Sequence, residues 1–369
     1  NGTATHAYAM DDVAFGCHPS AVLMPAILAE GESLGVSGAK ALRAYVVGYE
    51  LLAELAEREP DPMQPKGWHP TAVLGPVAAA GAICNLRGLS AAQSAQALGI
   101  AASMTGGLVA NFGTQTKALH AGRAASAGIL AARLALEGVS AAPDALERST
   151  GLLRVLSPAG RVDTDGEFTR ANSGLRIVLN GLSIKKYPVC YSLHRVTDAA
   201  IDIGRRDNFD PETVKRIDVC IGKTQAWMAG NQAPKTAQEA KYSVEFAIAS
   251  GLVARAAGFG QIEDGFVRSP LVQRLIGATS IELRDDASPD DPIFSASDRV
   301  AVHLADGSVI DSGEVPYARG NARLPLTEPE LRRKFIDCVT GGGRSDGERV
   351  YAMLREFDKL ANLRSLTER

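Results

Sequence analysis

Residues able to move protons are sparse in this chain, and they stand where helices ought to begin. The 369 residues include six histidines. His18 lies in Cys17-His18-Pro19-Ser20 and His69 in Gly67-Trp68-His69-Pro70-Thr71. The following proline biases each histidine away from helical backbone, so both should open a helix. A helix start offers unpaired N–H groups and the positive end of the dipole, which favours a neutral imidazole with an anion nearby. The bland alternative is that His-Pro only caps a helix. His120 falls in Thr114-Gln115-Thr116-Lys117-Ala118-Leu119-His120-Ala121-Gly122-Arg123, with Lys117 and Arg123 three residues away on the same helical face. Such cations lower an imidazole's pKa and keep it available as a base near neutrality. A satisfied core histidine is the competing reading.

A second group of candidates is Lys185-Lys186-Tyr187-Pro188-Val189-Cys190-Tyr191-Ser192-Leu193-His194, where the chain changes character. Domain junctions favour small-molecule sites, and either lysine could pair with a substrate carboxylate, although a lysine pair is commonly just solvated surface. Asp11-Asp12 followed by His18 lacks the ligand count and spacing of a metal site, so no metal is expected. The chain has no GxGxxG after a strand and no GxxxxGK[ST]. Nicotinamide and nucleotide-hydrolysing chemistries lose their main support with them.

Composition narrows the class further. Hydrophobic residues make up 46% and charged residues 22%, with a formal net charge of -3, as in ordinary globular proteins. Thirty-nine Lys+Arg against 42 Asp+Glu leave no basic excess for a phosphate backbone, so nucleic acid is not an expected partner. The apolar stretches fall short of the ~20 residues of a bilayer span, so no membrane association is expected. Five cysteines are scattered without CxxC spacing, which indicates neither a disulfide framework nor a zinc knuckle and fits a cytoplasmic protein. The first residues do not read as a signal peptide.

The elements that must position these residues are mostly helical. Apolar residues from Ser37 to Glu59 recur at three- and four-residue intervals, and further helices are expected at about 71–85, from Ser90 to Met104, and at about 117–136 before Gly138. Ser90 with Gln93 reads as a capping box. These helices are rich in Ala and Gly, which lets neighbouring backbones approach closely. After Gly181 the pattern turns to α+β. Residues 215–222 alternate as a strand, Arg299 to Val315 flank Asp306-Gly307 as a hairpin, and helices are expected at 236–256 and 267–276. Helical spacing resumes at Glu328. The fold class expected is mainly α: an all-helical domain over 1–178 with 325–369, and a smaller α+β lid over 179–324.

Taken together, several segments resemble one family. Asn1-Gly2-Thr3-Ala4-Thr5-His6 leading to Asp11-Asp12, then His18-Pro19-Ser20, Gly67-Trp68-His69-Pro70-Thr71, Thr116-Lys117-Ala118-Leu119-His120-Ala121-Gly122-Arg123 and Lys186-Tyr187-Pro188 resemble, in that order, the MmgE/PrpD family. That family includes 2-methylcitrate dehydratase, cis-aconitate decarboxylase and iminodisuccinate epimerase. The resemblance covers essentially the whole chain and implies that it begins inside the family's first domain. It implies a homodimer without metal or organic cofactor, acting on a di- or tricarboxylate through proton transfer beside a carboxylate. By resemblance His120 is the principal acid/base, His18 a second active-site histidine, Lys185 or Lys186 the lysine at the lid junction, and Tyr317 a lid tyrosine reaching the site. Lys117, Arg123, His69 and Asp12 complete the expected substrate-binding set. Where the family's dehydratases and decarboxylases read His-x-x-Asp-Phe-Asp-Asp-Thr, this chain has Ala9 and Val13 for the first Asp and the Thr. Loss of two such polar groups changes which substrate is accepted. A lyase, dehydratase or decarboxylase, is therefore expected, with an epimerase of an amino- or imino-dicarboxylate as the alternative and an inactive relative with a binding role as the third.

Overall fold

Small residues set the packing of the first half of the molecule. In this computed structural model, which describes residues 1–166, 174–289, 291, 293–343 and 345–366, helices span Gly2–Ala7, Pro19–Leu34, Gly38–Glu57, Pro70–Arg87, Ala91–Ala102 and Gln115–Leu136. Their starts follow local chemistry. Ser37 accepts a hydrogen bond from Lys40 N, and Ser90 with Gln93 forms the expected capping box. Leu23, Ile27, Tyr49, Leu52, Leu74, Ile83 and Leu86 are fully buried between these helices. The Ala/Gly stripes bring the Pro70–Arg87 and Gln115–Leu136 helices backbone to backbone: a Cβ at Gly128 would stand 2.3 Å from Ala79 Cβ and 2.7 Å from Ala80 N.

A second hydrophobic cluster gathers residues 187–302. Helices His194–Gly204, Val244–Ala254 and Pro270–Gly277 accompany a four-stranded sheet in the order Thr279–Arg284, Val214–Gly222, Arg299–Leu304, Val309–Asp311. The first pair is parallel and the others antiparallel. Asp306-Gly307 turns the hairpin as expected. The whole is predominantly helical with a smaller α+β region. Phe357 and Leu363, beyond helices Glu328–Gly341 and Gly347–Arg355, are buried in the first cluster.

The continuous helix expected over 236–256 is broken. Helix Ala237–Ala240 is capped by Thr236 with Glu239, and a new helix, Val244–Ala254, starts where Ser243 Oγ accepts from Phe246 N. Two capping residues seven apart give the backbone alternative partners, so the chain turns between them. Lys241 and Tyr242 occupy that turn. The helix expected at 267–276 is likewise divided, because Pro270 begins a fresh one.

A short ribbon joins the two clusters. Asp12–Val13 pairs antiparallel with Ser183–Ile184, Lys185 N donates to Asp11 O at 3.0 Å, and Tyr49 Oη donates to Gly181 O at 2.6 Å. His18 and Lys185, two of the candidate residues, meet beside this ribbon through Asp11.

Candidate active site

Four of the histidines, remote in sequence, meet beside the ribbon. His6 comes from the Gly2–Ala7 helix, which is seated on the Gln115–Leu136 helix so closely that Gly122 abuts Thr3. His18 and His69 are the N-cap residues of helices beginning at Pro19 and Pro70, as the His-Pro pairs imply. His120 lies one turn into the Gln115–Leu136 helix. The His6 ring centre is 4.4 Å from that of His18 and 5.6 Å from that of His69, and His69 is 5.3 Å from His120.

Asp11 organises this cluster. Its Oδ2 lies 2.6 Å from His6 Nδ1 and 3.2 Å from His18 Nδ1, and its Oδ1 lies 2.7 Å from Lys185 Nζ. Burial alone would raise its pKa, but Lys185, His18 and His6 outweigh burial and hold the carboxyl well below the usual range. An ionised carboxylate only accepts hydrogen bonds, so His6 carries its proton on Nδ1 and presents a lone pair on Nε2. His18 Nδ1 also faces an acceptor, Asp12 O at 2.9 Å, and has the same tautomer. His69 Nδ1 and His120 Nδ1 are 3.1 Å apart.

Burial depresses every imidazole of the group. His6 is brought down to about 3 against the opposing pull of Asp11, and His69 falls well below its ordinary value through burial and then Lys117. His18 is lowered by burial. His120 is lowered by burial, then by Arg123 and Lys117. The histidines are thus neutral at physiological pH. The cations are also pressed: burial lowers Lys117 and, from the C-terminal domain, Lys241, which donates to Ala7 O at 3.2 Å. Lys117 sits over the rings of Phe112 and Tyr242, 4.6 and 5.4 Å from their centres.

The other expected residues are placed differently. Lys185 enters the cluster, whereas Lys186 turns away and donates to Glu330 Oε1 at 2.5 Å. Asp12 directs its carboxylate away from the histidines, accepting from Ser20 N and Ser20 Oγ, and burial raises it to about 6. Arg123 is exposed, its charge reaching His120 from the helix surface. Tyr317 lines a cavity of about 470 Å³ between the two clusters, together with Val13, Phe15, Gln64, Tyr191 and Arg323, and none of the four histidines belongs to that wall. Local sequence signals do not mark His6, Lys241 or Tyr242, and they offer Asp11 only beside Asp12 and His18 as a rejected metal set. The motif containing His6 and Asp11 was in view, but neither residue carries a local spacing signal.

One ring nitrogen from each of His6, His18 and His69 lies within 4.8 Å of the other two, a trio that could ligate a metal ion and that the spacing of Asp11, Asp12 and His18 did not foreshadow. The ammonium groups of Lys117 and Lys185 oppose a dication there and favour an anion. Chemically the site combines neutral imidazoles for proton transfer with lysines for carboxylates.

Known proteins resemble the chain throughout. Residues 1–165 match the MmgE/PrpD N-terminal domain and residues 187–358 the MmgE/PrpD C-terminal domain. A Homo sapiens protein named cis-aconitate decarboxylase is 29% identical over 350 residues, covering 91% of this chain and 70% of that protein. Proteins of the same name from Mus musculus and Aspergillus terreus are 27% and 25% identical, the latter covering 95% of this chain and 75% of its own length.

Proposed function

This chain belongs to the MmgE/PrpD family, matching both of its domains, and on that premise we propose a lyase that decarboxylates a small unsaturated tricarboxylate such as cis-aconitate, or dehydrates a related polycarboxylate, with no cofactor. One observation carries the reading. Lys117, Lys185 and Lys241 surround a buried histidine cluster in which Asp11 is the strongly ionised carboxylate, so the site holds positive charge that a polyanion would neutralise.

In the decarboxylation the bond between carbon and the departing CO₂ breaks, and its electron pair spreads into the neighbouring double bond and carboxylate. The lysines stabilise that charge where it develops, which is the larger part of the catalysis. A histidine then delivers a proton to carbon, with His120 and His18 the residues the family resemblance suggests. Acid–base help of this kind contributes roughly 10²- to 10⁴-fold. Burial of the histidine cluster keeps water away from the developing charge.

A second reading, epimerisation of an amino- or imino-dicarboxylate, is favoured by one feature. Val13 lines the interdomain cavity at a position where the family's lyases usually have Thr, so the wall lacks a hydroxyl. Incubation with cis-aconitate and a panel of di- and tricarboxylates in D₂O, followed by NMR, decides. CO₂ release with one deuteron in the product supports the decarboxylase, water loss the dehydratase. Deuterium exchange with inverted configuration supports the epimerase. No exchange and no product across the panel overturns all three.

A further inference from the structure

The family resemblance directs attention to His18 and His120, yet the geometry singles out a different histidine. We infer that His6, braced by Asp11, is the residue that exchanges the proton with substrate carbon. The inference rests on the function proposed above and specifies which group performs its central step.

The His6–Asp11 contact, at 2.6 Å, is tighter than the 3.1 Å pairing of His69 and His120, and both members are buried. Its consequence is a defined tautomer. With Nδ1–H committed to the carboxylate, the Nε2 lone pair points away from Asp11, and that nitrogen, like Nε2 of His69, whose Nδ1 faces His120 rather than a carboxylate, is buried with no hydrogen-bond partner among the described residues. A buried polar atom left unpaired is costly, by about 1–3 kcal/mol, and marks a place where another group belongs. His120 is less suited: its Nδ1 is engaged by His69 rather than by a carboxylate, and the charges that reach it, Arg123 and Lys117, are both cations. The aspartate is held ionised by Lys185 and His18, so it stabilises an imidazolium whenever His6 gains a proton.

The neutral state of His6 follows from burial, with Lys117 and His18 acting in the same direction against Asp11. A bound polycarboxylate adds negative charge beside the ring and raises its proton affinity. In decarboxylation, His6 protonated from solvent gives its Nε2 proton to carbon while the C–C electron pair is released by CO₂. In elimination, the Nε2 lone pair takes the α-proton, the C–H electrons pass into the carboxylate as an enediolate and then return to form the C=C bond as the C–O bond breaks, and the His6 imidazolium gives the same proton to the leaving hydroxyl, which departs as water. A metal ion on His6, His18 and His69 would also satisfy the lone pair, so it is made an outcome of the test.

The variant to measure is His6→Asn, because its amide N–H retains the donor to Asp11 while Nε2 is removed. The readouts are turnover and deuterium incorporation with the substrate that wild type accepts, and calorimetric binding of the saturated tricarboxylate tricarballylate. His6→Asn is expected to lose 10²- to 10⁴-fold in kcat and in deuterium incorporation, with tricarballylate affinity within about threefold of wild type. Three results overturn the inference: kcat within threefold of wild type; binding and turnover falling together, which makes His6 a structural part of the pocket; or wild-type activity lost on EDTA treatment and restored by Zn²⁺. His6→Gln, which places an amide near the Nε2 position, should be equally inactive, and activity in it likewise overturns the assignment. A wild-type protein that transforms none of the panel overturns the functional reading instead.

Discussion

Adjacent acids in this site do opposite things. Asp11 holds Lys185, His6 and His18 together, whereas Asp12 is buried against Ser20 and is easiest to keep protonated. Asp11→Asn leaves the Lys185 ammonium buried without its counter-charge and should cost about 3–5 kcal/mol in urea unfolding at pH 7. Asp12→Asn should instead show a pH-dependent difference. A carboxyl whose folded pKa is raised to about 6 contributes stability that is full below the unfolded value and disappears as pH rises through 6. The advantage of wild type over Asp12→Asn should therefore shrink between pH 4 and pH 7, at a slope of no more than ~1.4 kcal/mol per pH unit in urea unfolding. The lysine pair separates in the same way. Lys185→Gln should weaken both folding and polycarboxylate affinity, while Lys186→Gln breaks a partly exposed pair with Glu330 and should change unfolding by less than ~1 kcal/mol.

At the level of elements, the site depends on how closely the Gly2–Ala7 helix approaches the Gln115–Leu136 helix. A Cβ at Gly122 would stand 2.2 Å from Thr3 Oγ1 and 3.2 Å from Thr3 N. Gly122→Ala must displace the Thr3 hydroxyl and press on the Thr3 backbone of the helix that carries His6. The expected result is ~1–3 kcal/mol of destabilisation by thermal or urea unfolding together with reduced turnover. Gly265→Ala is the matched control, since nothing lies within 4 Å of a Cβ there and the residue is helical. It should be neutral or stabilising by up to ~1 kcal/mol. The turn between the Ala237–Ala240 and Val244–Ala254 helices matters for the same reason, because it presents Lys241 and Tyr242 to the cluster.

For the molecule as a whole, the site lies at the seam of two hydrophobic clusters, so ligand binding and the union of the clusters are coupled. Tricarballylate at 100 times its Kd should stabilise the fold by about 2.7 kcal/mol, read as a higher midpoint in calorimetry. The same polyanion should bind more weakly as salt is raised, because the lysines attract it electrostatically. Binding that is indifferent to salt would contradict a lysine-built site.

Much of this was legible in the chain itself. His18 and His69 are N-caps because proline follows them, and the Ser90–Gln93 box and the Asp306-Gly307 hairpin are local chemistry that any context would respect. Ordered motifs were enough to place the chain in its family. What local spacing could not supply was the choice among near-equivalent neighbours. Lys185 rather than Lys186 reaches Asp11 because the backbone enters the ribbon in one register, Asp12 opposite Ile184, and a slip of one residue would exchange the two side chains. His6 had no periodic signal, since its helix is six residues long and is held by contact with Gly122, far along the chain. Tyr317 lines the cavity between the two hydrophobic clusters, a placement with no local signal in the sequence. Local propensity is written residue by residue, but partner choice among buried charges is settled only when distant segments share one desolvated space, and there tertiary packing decided the site.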